Sequence, residues 1–416
     1  MSNKLFSYIP ALLLLTMPLS LYAYTPVPAK TETPAAANTV AKPETKSVSG
    51  QQPNDFVFRF HRSVQTVTGT ETNMVTSPYG VSSLGEMLTL GAAGETQKKL
   101  QTIFVPQDGK SKRTTWLRLP ENKTDESPIT STNGIWIEKS FSVRQTYTET
   151  LRSRFNVSVT AADFEHNNVE ECNKINSWVS QSTNNKITKM FDSFDQQTRL
   201  VLVNTLNFQG KWAIPFDKTK TKQDKFYGLK NQTSTVPFMQ NTLRLNYLKS
   251  DKYQTAAIPY SRNQYSMIIV LPNDKISLSE VENTLNETAL TKMLNDSTIE
   301  NIELVLPTFT IESEINLKPV LVNMGAEIIF DRQKAEFTGI SETEGLCVDQ
   351  ITQNVIIRVD ESGTEAAAGS GAAVVPKSNT SNEAKPINFR ADRPFLFLIR
   401  DNVNGVPVFT GRYVGK

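Results

Sequence analysis

The chain has 416 residues, of which 38% are hydrophobic and 21% are charged. A chain of this composition can bury a large core, so it is neither disordered as a whole nor fibrous. Lys and Arg number 44 against 42 Asp and Glu, and this balance gives no reason to expect a nucleic-acid partner.

Residues 1–23 are predicted to be an export signal. Lys4 supplies the positive start, an apolar run follows, and the sequence LYA ending at Ala23 provides a cleavage site. Pro10 and Pro18 interrupt the run, which is shorter than the roughly 20 apolar residues of a spanning helix. We therefore expect secretion without a membrane anchor, or a periplasmic or surface-tethered protein if the source is bacterial.

Residues 24–53 are rich in Pro, Thr and Ala without apolar periodicity, which predicts a disordered tail. A single folded domain is then expected over residues 54–416. No segment in it is long and apolar enough to span a bilayer.

Helical patterns dominate the first half of this domain. Residues 55–67 read as an amphipathic helix, and Ser77 followed by Pro78 predicts an N-cap and first turn. A second stripe of helical spacing comprises Val169, Cys172, Ile175 and Val179. It predicts that Cys172 is a buried free thiol and that no disulfide joins it to Cys347.

Strand-like apolar runs dominate the second half. They cover residues 198–208, 265–272, 302–311, 354–360 and 394–400, and a helical stretch at 317–325 stops at Gly325. Helices first and strands later, without strict alternation, predict an α+β fold.

An enzyme is disfavoured because the chain carries no nucleophile elbow, zinc-protease or phosphate-loop motif. The two histidines, His61 and His166, lack partner motifs and are expected to be structural. We expect no cofactor and no metal.

Residues 359–378 read VDESGTEAAAGSGAAVVPKS. The sequence offers a strand with one small, uncharged face from Thr364 onward, but alanine and glycine have modest strand propensity. Loop and central strand are therefore both open to this segment. It ends on Pro376, Lys377 and Ser378, a cleavage site of the trypsin type.

This segment resembles the reactive-centre loop of the serpins. The resemblance runs from about residue 54 to the C-terminus, in TSPYGVSSLGEMLTLGAAGETQ, INSWVSQSTNNKI, LVLVNTLNFQGKWAIPF and FRADRPFLFLIRDNVNGVPVFTGRYV, in the family's order. It implies the serpin fold, with about nine helices and three β-sheets, and an exposed loop at about 361–388. It also implies that a protease attacks the loop, forms an acyl-enzyme and is trapped when the cut loop inserts into the main sheet.

The resemblance also implies roles for particular residues. Counting sixteen residues from the hinge glutamate, as in inhibitory relatives, places the scissile bond between Lys377 and Ser378. The hinge would comprise Glu361, Gly363, Thr364, Glu365, Ala366, Ala367 and Ala368; the subsites Val374, Val375 and Pro376; and the shutter and breach Ser77, Pro78, Asn204, Trp212 and Gln353. A lysine at the cleavage position implies trypsin-like serine proteases as partners of a monomeric, irreversible inhibitor.

Three departures from the family pattern bear on these expectations. Counting back from Arg393 instead places the scissile bond near Thr380. Gln353 stands where many members have a histidine. Residues 105–119 look short for the helix on which some members bind heparin-like polyanions, which disfavours such binding. Two alternatives stay open. One is a broader inhibitor that also traps elastase-type, subtilisin-type or cysteine proteases; the other is a non-inhibitory carrier.

Overall fold

The computed structural model describes residues 53–104, 129–183, 185–364 and 385–415. These residues fall in one structural unit, Ser49–Lys416. The predicted signal, nearly all of the predicted tail, and residues 105–119 lie outside them.

Eight α-helices form in the described ranges. The second begins as the sequence predicts: the side chain of Ser77 accepts a hydrogen bond from the backbone N of Gly80, and Pro78 occupies the first turn. The helices are α1 (Pro53–Thr68), α2 (Pro78–Gly91), α3 (Gly94–Phe104), α4 (Gln145–Phe155), α5 (Phe164–Ser182), α6 (Leu278–Thr284), α7 (Glu287–Asp296) and α8 (Leu317–Asn323).

Helix α5 buries most of its predicted apolar stripe. Cys172, Ile175 and Val179 have less than a tenth of their surface exposed, whereas Val169 is 65% exposed. Val169 follows a kink at Asn167 and lies outside the buried face.

Sixteen strands form two hydrogen-bonded sheets in the described part of the chain. The main sheet has the order β3-β2-β4-β12-β13-β5, with β11 on the other side of β12. The larger sheet has the order β1-β16-β15-β9-β8-β7-β10-β14, with β6 also pairing β7. The strands are β1 (Met74–Thr76), β2 (Ile129–Glu138), β3 (Val159–Ala162), β4 (Leu200–Phe208), β5 (Gly210–Lys211), β6 (Lys222–Tyr227), β7 (Thr233–Lys249), β8 (Tyr253–Pro259), β9 (Tyr265–Pro272), β10 (Thr298–Pro307), β11 (Phe309–Asn316), β12 (Gln350–Asp360), β13 (Gly363–Thr364), β14 (Ile387–Arg390), β15 (Phe395–Asp401) and β16 (Val406–Tyr413).

The expected three sheets appear as two because of the length of β7. Its first residues pair with β6 and its last with β8, while β10 pairs along its middle. A strand of 17 residues thus connects what would otherwise be two separate sheets.

The main sheet has a buried layer on each face. Helix α5 and the residues after it cover one face through Phe164, Ile175 and Val179, which pack with Val201 and Val203 of β4. The other face contacts helices α1–α4 and α8 and the larger sheet, whereas α6 and α7 pack on the larger sheet. Within the described ranges, no helix combines the length and apolarity that crossing a bilayer requires.

Candidate functional site

The centre of the main sheet is a parallel seam between β4 and β12. Seven residue pairs join the two strands, from Val201 with Gln350 to Asn207 with Ile356. Beyond Ile356 the seam is interrupted, because β13 lies between β12 and β5 and pairs antiparallel with both. A short strand therefore already occupies one end of the seam.

Gln353 is the polar centre of the seam on the face opposite α5. It is completely buried. Its Oε1 accepts hydrogen bonds from Thr76 Oγ1 (2.7 Å) and the backbone N of Ser77 (2.9 Å). Its Nε2 donates to the carbonyl of Ser77 (2.9 Å) and to Asn204 Oδ1 (3.0 Å). All four hydrogen-bonding positions of the amide are thus filled, so glutamine suits this place well.

The same network also joins β2 and β16 to the seam. Asn204 donates from Nδ2 to Asn133 Oδ1 of β2 (2.7 Å), and Ser77 Oγ donates to the carbonyl of Val408 on β16 (2.8 Å). Gly80 permits the close approach of α2, because a Cβ there would lie 2.1 Å from Asn204 Oδ1. Ser77, Pro78, Asn204 and Gln353 are thus brought together.

The turn after β12 is held by the segment that follows β5. Phe216 donates its backbone N–H to the carbonyl of Glu361 (2.8 Å), and Thr221 Oγ1 donates to Glu361 Oε1 (2.6 Å). Gly363 then has φ +155°, and a Cβ on it would lie 2.0 Å from the carbonyl oxygen of Gly210. Only glycine fits between the two strands at this position.

Thr364 is completely buried at the end of this turn. Its hydroxyl lies 2.6 Å from the hydroxyl of Tyr260. Trp212 stacks on the Tyr260 ring, with centroids 4.5 Å apart, and donates from Nε1 to the carbonyl of Asp360 (2.8 Å). Burial raises the pKa of Tyr260, although the hydrogen bond with Thr364 opposes the rise. The tyrosine therefore stays protonated and holds the hinge as a neutral group.

Sequence reasoning missed Tyr260 and Gly210. Tyr260 follows an apolar strand in a turn-rich stretch, and no local pattern signals that it meets a residue 104 positions later. Gly210 could have been flagged only as an isolated glycine beside a strand, a weak sign of close backbone approach.

Residues 365–384 lie outside the described residues. The predictions that fall there concern the rest of the hinge, the subsites, the scissile bond and the alternative position for that bond. These residues are Glu365, Ala366, Ala367, Ala368, Val374, Val375, Pro376, Lys377, Ser378 and Thr380.

The other candidate reactive groups make structural contacts. His61 is buried and bonds Thr410 Oγ1 and Glu282 Oε1, and His166 lies beside Asp163 at the start of α5. Cys172 and Cys347 are free and buried. Among the residues that the structure describes, no group of His, Cys, Asp and Glu could hold a metal ion.

Comparison with known proteins identifies the family. Residues 51–415 match the family model described as "Serpin (serine protease inhibitor)". The chain is 31% identical to a serine protease inhibitor of Cyanea capillata, over 83% of this chain and 93% of the relative. It is 33% identical to plasminogen activator inhibitor 1 of Neovison vison, over 86% of this chain and 90% of the relative.

A solved structure gives the same fold. The crystal structure of tengpin, a thermophilic serpin in its native state, matches with a TM-score of 0.77 at 24% identity, covering 88% of this chain and 94% of that one. The likeness at this identity concerns the fold, and the sequence matches carry the family. The chain belongs to the serpin family of protease inhibitors.

Proposed function

We propose that this protein is a secreted, irreversible inhibitor of trypsin-like serine proteases that acts as a monomer and as a suicide substrate. The observation that carries the proposal is the pairing of β13. Gly363 and Thr364 already form ladder pairs with both β12 and β5, so a strand that continued this register would enter the seam.

The register of β13 supports insertion of that chain. Thr364 pairs with Val359 on one side and Gly210 on the other, and Val359 is buried in the core. Because side chains alternate along a strand, insertion in the same register would direct Ala366 and Ala368 toward that crowded face. Small side chains suit it.

The other face of the inserted strand has different requirements. In the same register Glu365 would lie beside Arg358, whose side chain is 64% exposed. Opposite charges on adjacent strands are favourable, and a charge there need not be buried. The single acidic residue of the hinge after Thr364 thus falls on the face that tolerates it.

The proposed reaction begins as ordinary proteolysis. The serine hydroxyl of the protease attacks the carbonyl carbon of Lys377, the bond to the Ser378 nitrogen breaks, and that nitrogen takes up a proton and leaves. The freed loop then inserts, and about fourteen residues at roughly 3.3 Å each form a strand near 45 Å long. The acyl-enzyme is carried that distance, its active site is distorted, and deacylation stalls.

Specificity is assigned to Lys377, because a protease whose primary pocket carries an acidic residue binds a lysine side chain. The test mixes the protein with trypsin and follows SDS-resistant complex by electrophoresis, and N-terminal sequencing of the released C-terminal peptide locates the cut. Lys377→Ala is the matched variant. We expect the wild type to form an SDS-resistant complex with trypsin and the variant to form far less of it.

Cleavage after Lys377 without any complex would rule out the inhibitor and favour a carrier role. Cleavage after Thr380 with complex formation would move the bond and leave the mechanism standing.

A further inference from the structure

Asn354 is a buried amide within the seam of β4 and β12. The residue is 1% exposed, and among the described residues neither its Oδ1 nor its Nδ2 has a hydrogen-bond partner. On the neighbouring strand, Oδ1 of Asn207 is also buried without a partner in the described part of the chain. Buried polar atoms nearly always find partners in folded proteins, so an amide with both groups unpaired raises the free energy of the native state.

The described strands on either side of β12 offer this amide no partner. Asn354 stands opposite Thr205 on β4 and Glu314 on β11, and it hydrogen-bonds to neither. It shares a face with Ile356, which packs against the apolar cluster under α5. Gln353, the residue before it, points to the opposite face with its amide fully paired. Two consecutive amides on β12 are thus in opposite states.

We propose that Asn354 promotes opening of the seam and so determines how often the cut loop inserts before the protease escapes. The inference rests on the proposed function. Inserting a strand moves β4 and β12 from about 4.8 Å apart to about twice that distance. Backbone groups of the new strand, or water, then come within reach of the amide. The unpaired amide raises the free energy of the closed sheet and not that of the opened sheet. It therefore lowers the barrier to opening.

The test replaces Asn354 with valine, which suits a buried strand and carries no polar atoms. The first readout is the rate at which a synthetic peptide with the sequence of residues 364–375 anneals to the intact protein. We expect Asn354→Val to slow annealing about tenfold, the factor that corresponds to about 1.4 kcal/mol. The second readout is the number of inhibitor molecules consumed per trypsin molecule inactivated, which should rise.

Tyr413→Phe is the matched control. The hydroxyl of Tyr413 is also buried without a partner among the residues that the structure describes, but it lies on β16, outside the seam. Both variants should raise the midpoint of thermal unfolding, and only Asn354→Val should change annealing and the consumption of inhibitor. Equal effects of the two variants, or no effect of Asn354→Val on either readout, would show that the amide does not act on the seam.

Two further outcomes are separable. Asn354→Thr is the reserve variant if the valine variant does not fold, because threonine is smaller and favours strands. With a single hydroxyl in place of the amide, this variant should also slow annealing. If the wild type anneals the peptide but forms no complex with trypsin, the proposed function fails, and the comparison of annealing rates still decides the role of Asn354.

Discussion

Glu282 is the buried carboxylate of a polar cluster that joins α1, α6 and β16. It accepts hydrogen bonds from His61 Nε2 (2.7 Å), Gln65 Nε2 (2.7 Å) and Arg412 Nη1 (3.2 Å). Glu282 is 1% exposed and Arg412 is fully buried. Burial opposes ionisation of Glu282, but the hydrogen bond and charge of His61 and the charge of Arg412 outweigh it, so its pKa is lowered.

A lowered carboxyl pKa gives a definite pH dependence. The ionised state is favoured by folding, so its contribution is complete above the unfolded pKa of about 4.3 and is lost as the pH falls through the folded pKa. Glu282→Gln should remove this part of the pH dependence. It should also lower the free energy of unfolding at pH 7 by about 3 kcal/mol, because Arg412 is left buried without its counter-ion.

The measurement is urea unfolding of the variant and the wild type over a series of pH values from neutral to below the unfolded pKa. Glu280→Gln is the control, since Glu280 lies on the same helix and is exposed. Its curve should run parallel to that of the wild type. A Glu282→Gln curve that also runs parallel would show that the cluster does not contribute to acid sensitivity.

At the scale of elements, the hinge is specified by neighbours that lie far away in the sequence. Gly363 lies close to Gly210, and Thr364 lies within hydrogen-bond distance of Tyr260.

Thr364→Arg would place a charge where the side chain is completely buried, at a cost of about 3 kcal/mol or more. We expect the variant to be cleaved by trypsin without forming an SDS-resistant complex, whereas Thr364→Ser should still form it. Complex formation by the arginine variant at the wild-type level would refute the register of insertion.

The elements differ in how far local sequence predicts them. Strand β9 occupies the predicted residues 265–272, because it is a continuous apolar run with turn residues on both sides. The predicted run 302–311 instead divides between β10 and β11: both parts are apolar, and local pattern does not show that the chain changes sheets near Thr308. Strand β7 escaped prediction because its buried positions are interrupted by exposed ones.

The site divides in the same way. The hinge sequence and the pair Ser77 and Pro78 can be read locally, since a glycine-marked turn and an N-cap each depend on a few adjacent residues. The partners of Gln353 and Thr364 cannot, because side-chain pairing across a sheet follows from long-range register. The unpaired state of Asn354 cannot be predicted from the sequence, since an asparagine in a strand gives no sign of whether its amide will find hydrogen-bond partners.

At the scale of the whole molecule, the loop is tethered in two sheets. One end continues from β12 and β13 of the main sheet, and the other leads into β14, which pairs with β10 at the edge of the larger sheet. For full insertion, the far end of the chain that leads to Lys385 would have to leave β14, because β14 is paired in the other sheet. In the proposed mechanism, a cut in this chain releases one end, and the seam then accepts a complete strand.

This arrangement predicts that cleavage makes the protein more stable. A complete inserted strand gains a ladder with β4 and another with β12, a gain we expect to reach several kcal/mol. Each kcal/mol raises the unfolding midpoint of a domain this large by roughly 2 °C, so we expect a rise of about 10 °C or more. Calorimetry on the intact protein and on the protein nicked after Lys377 measures the shift, and nicked Thr364→Arg should show little of it. An unchanged midpoint for the nicked wild type would mean that the loop does not enter the sheet, and the seam would then serve a binding role without insertion.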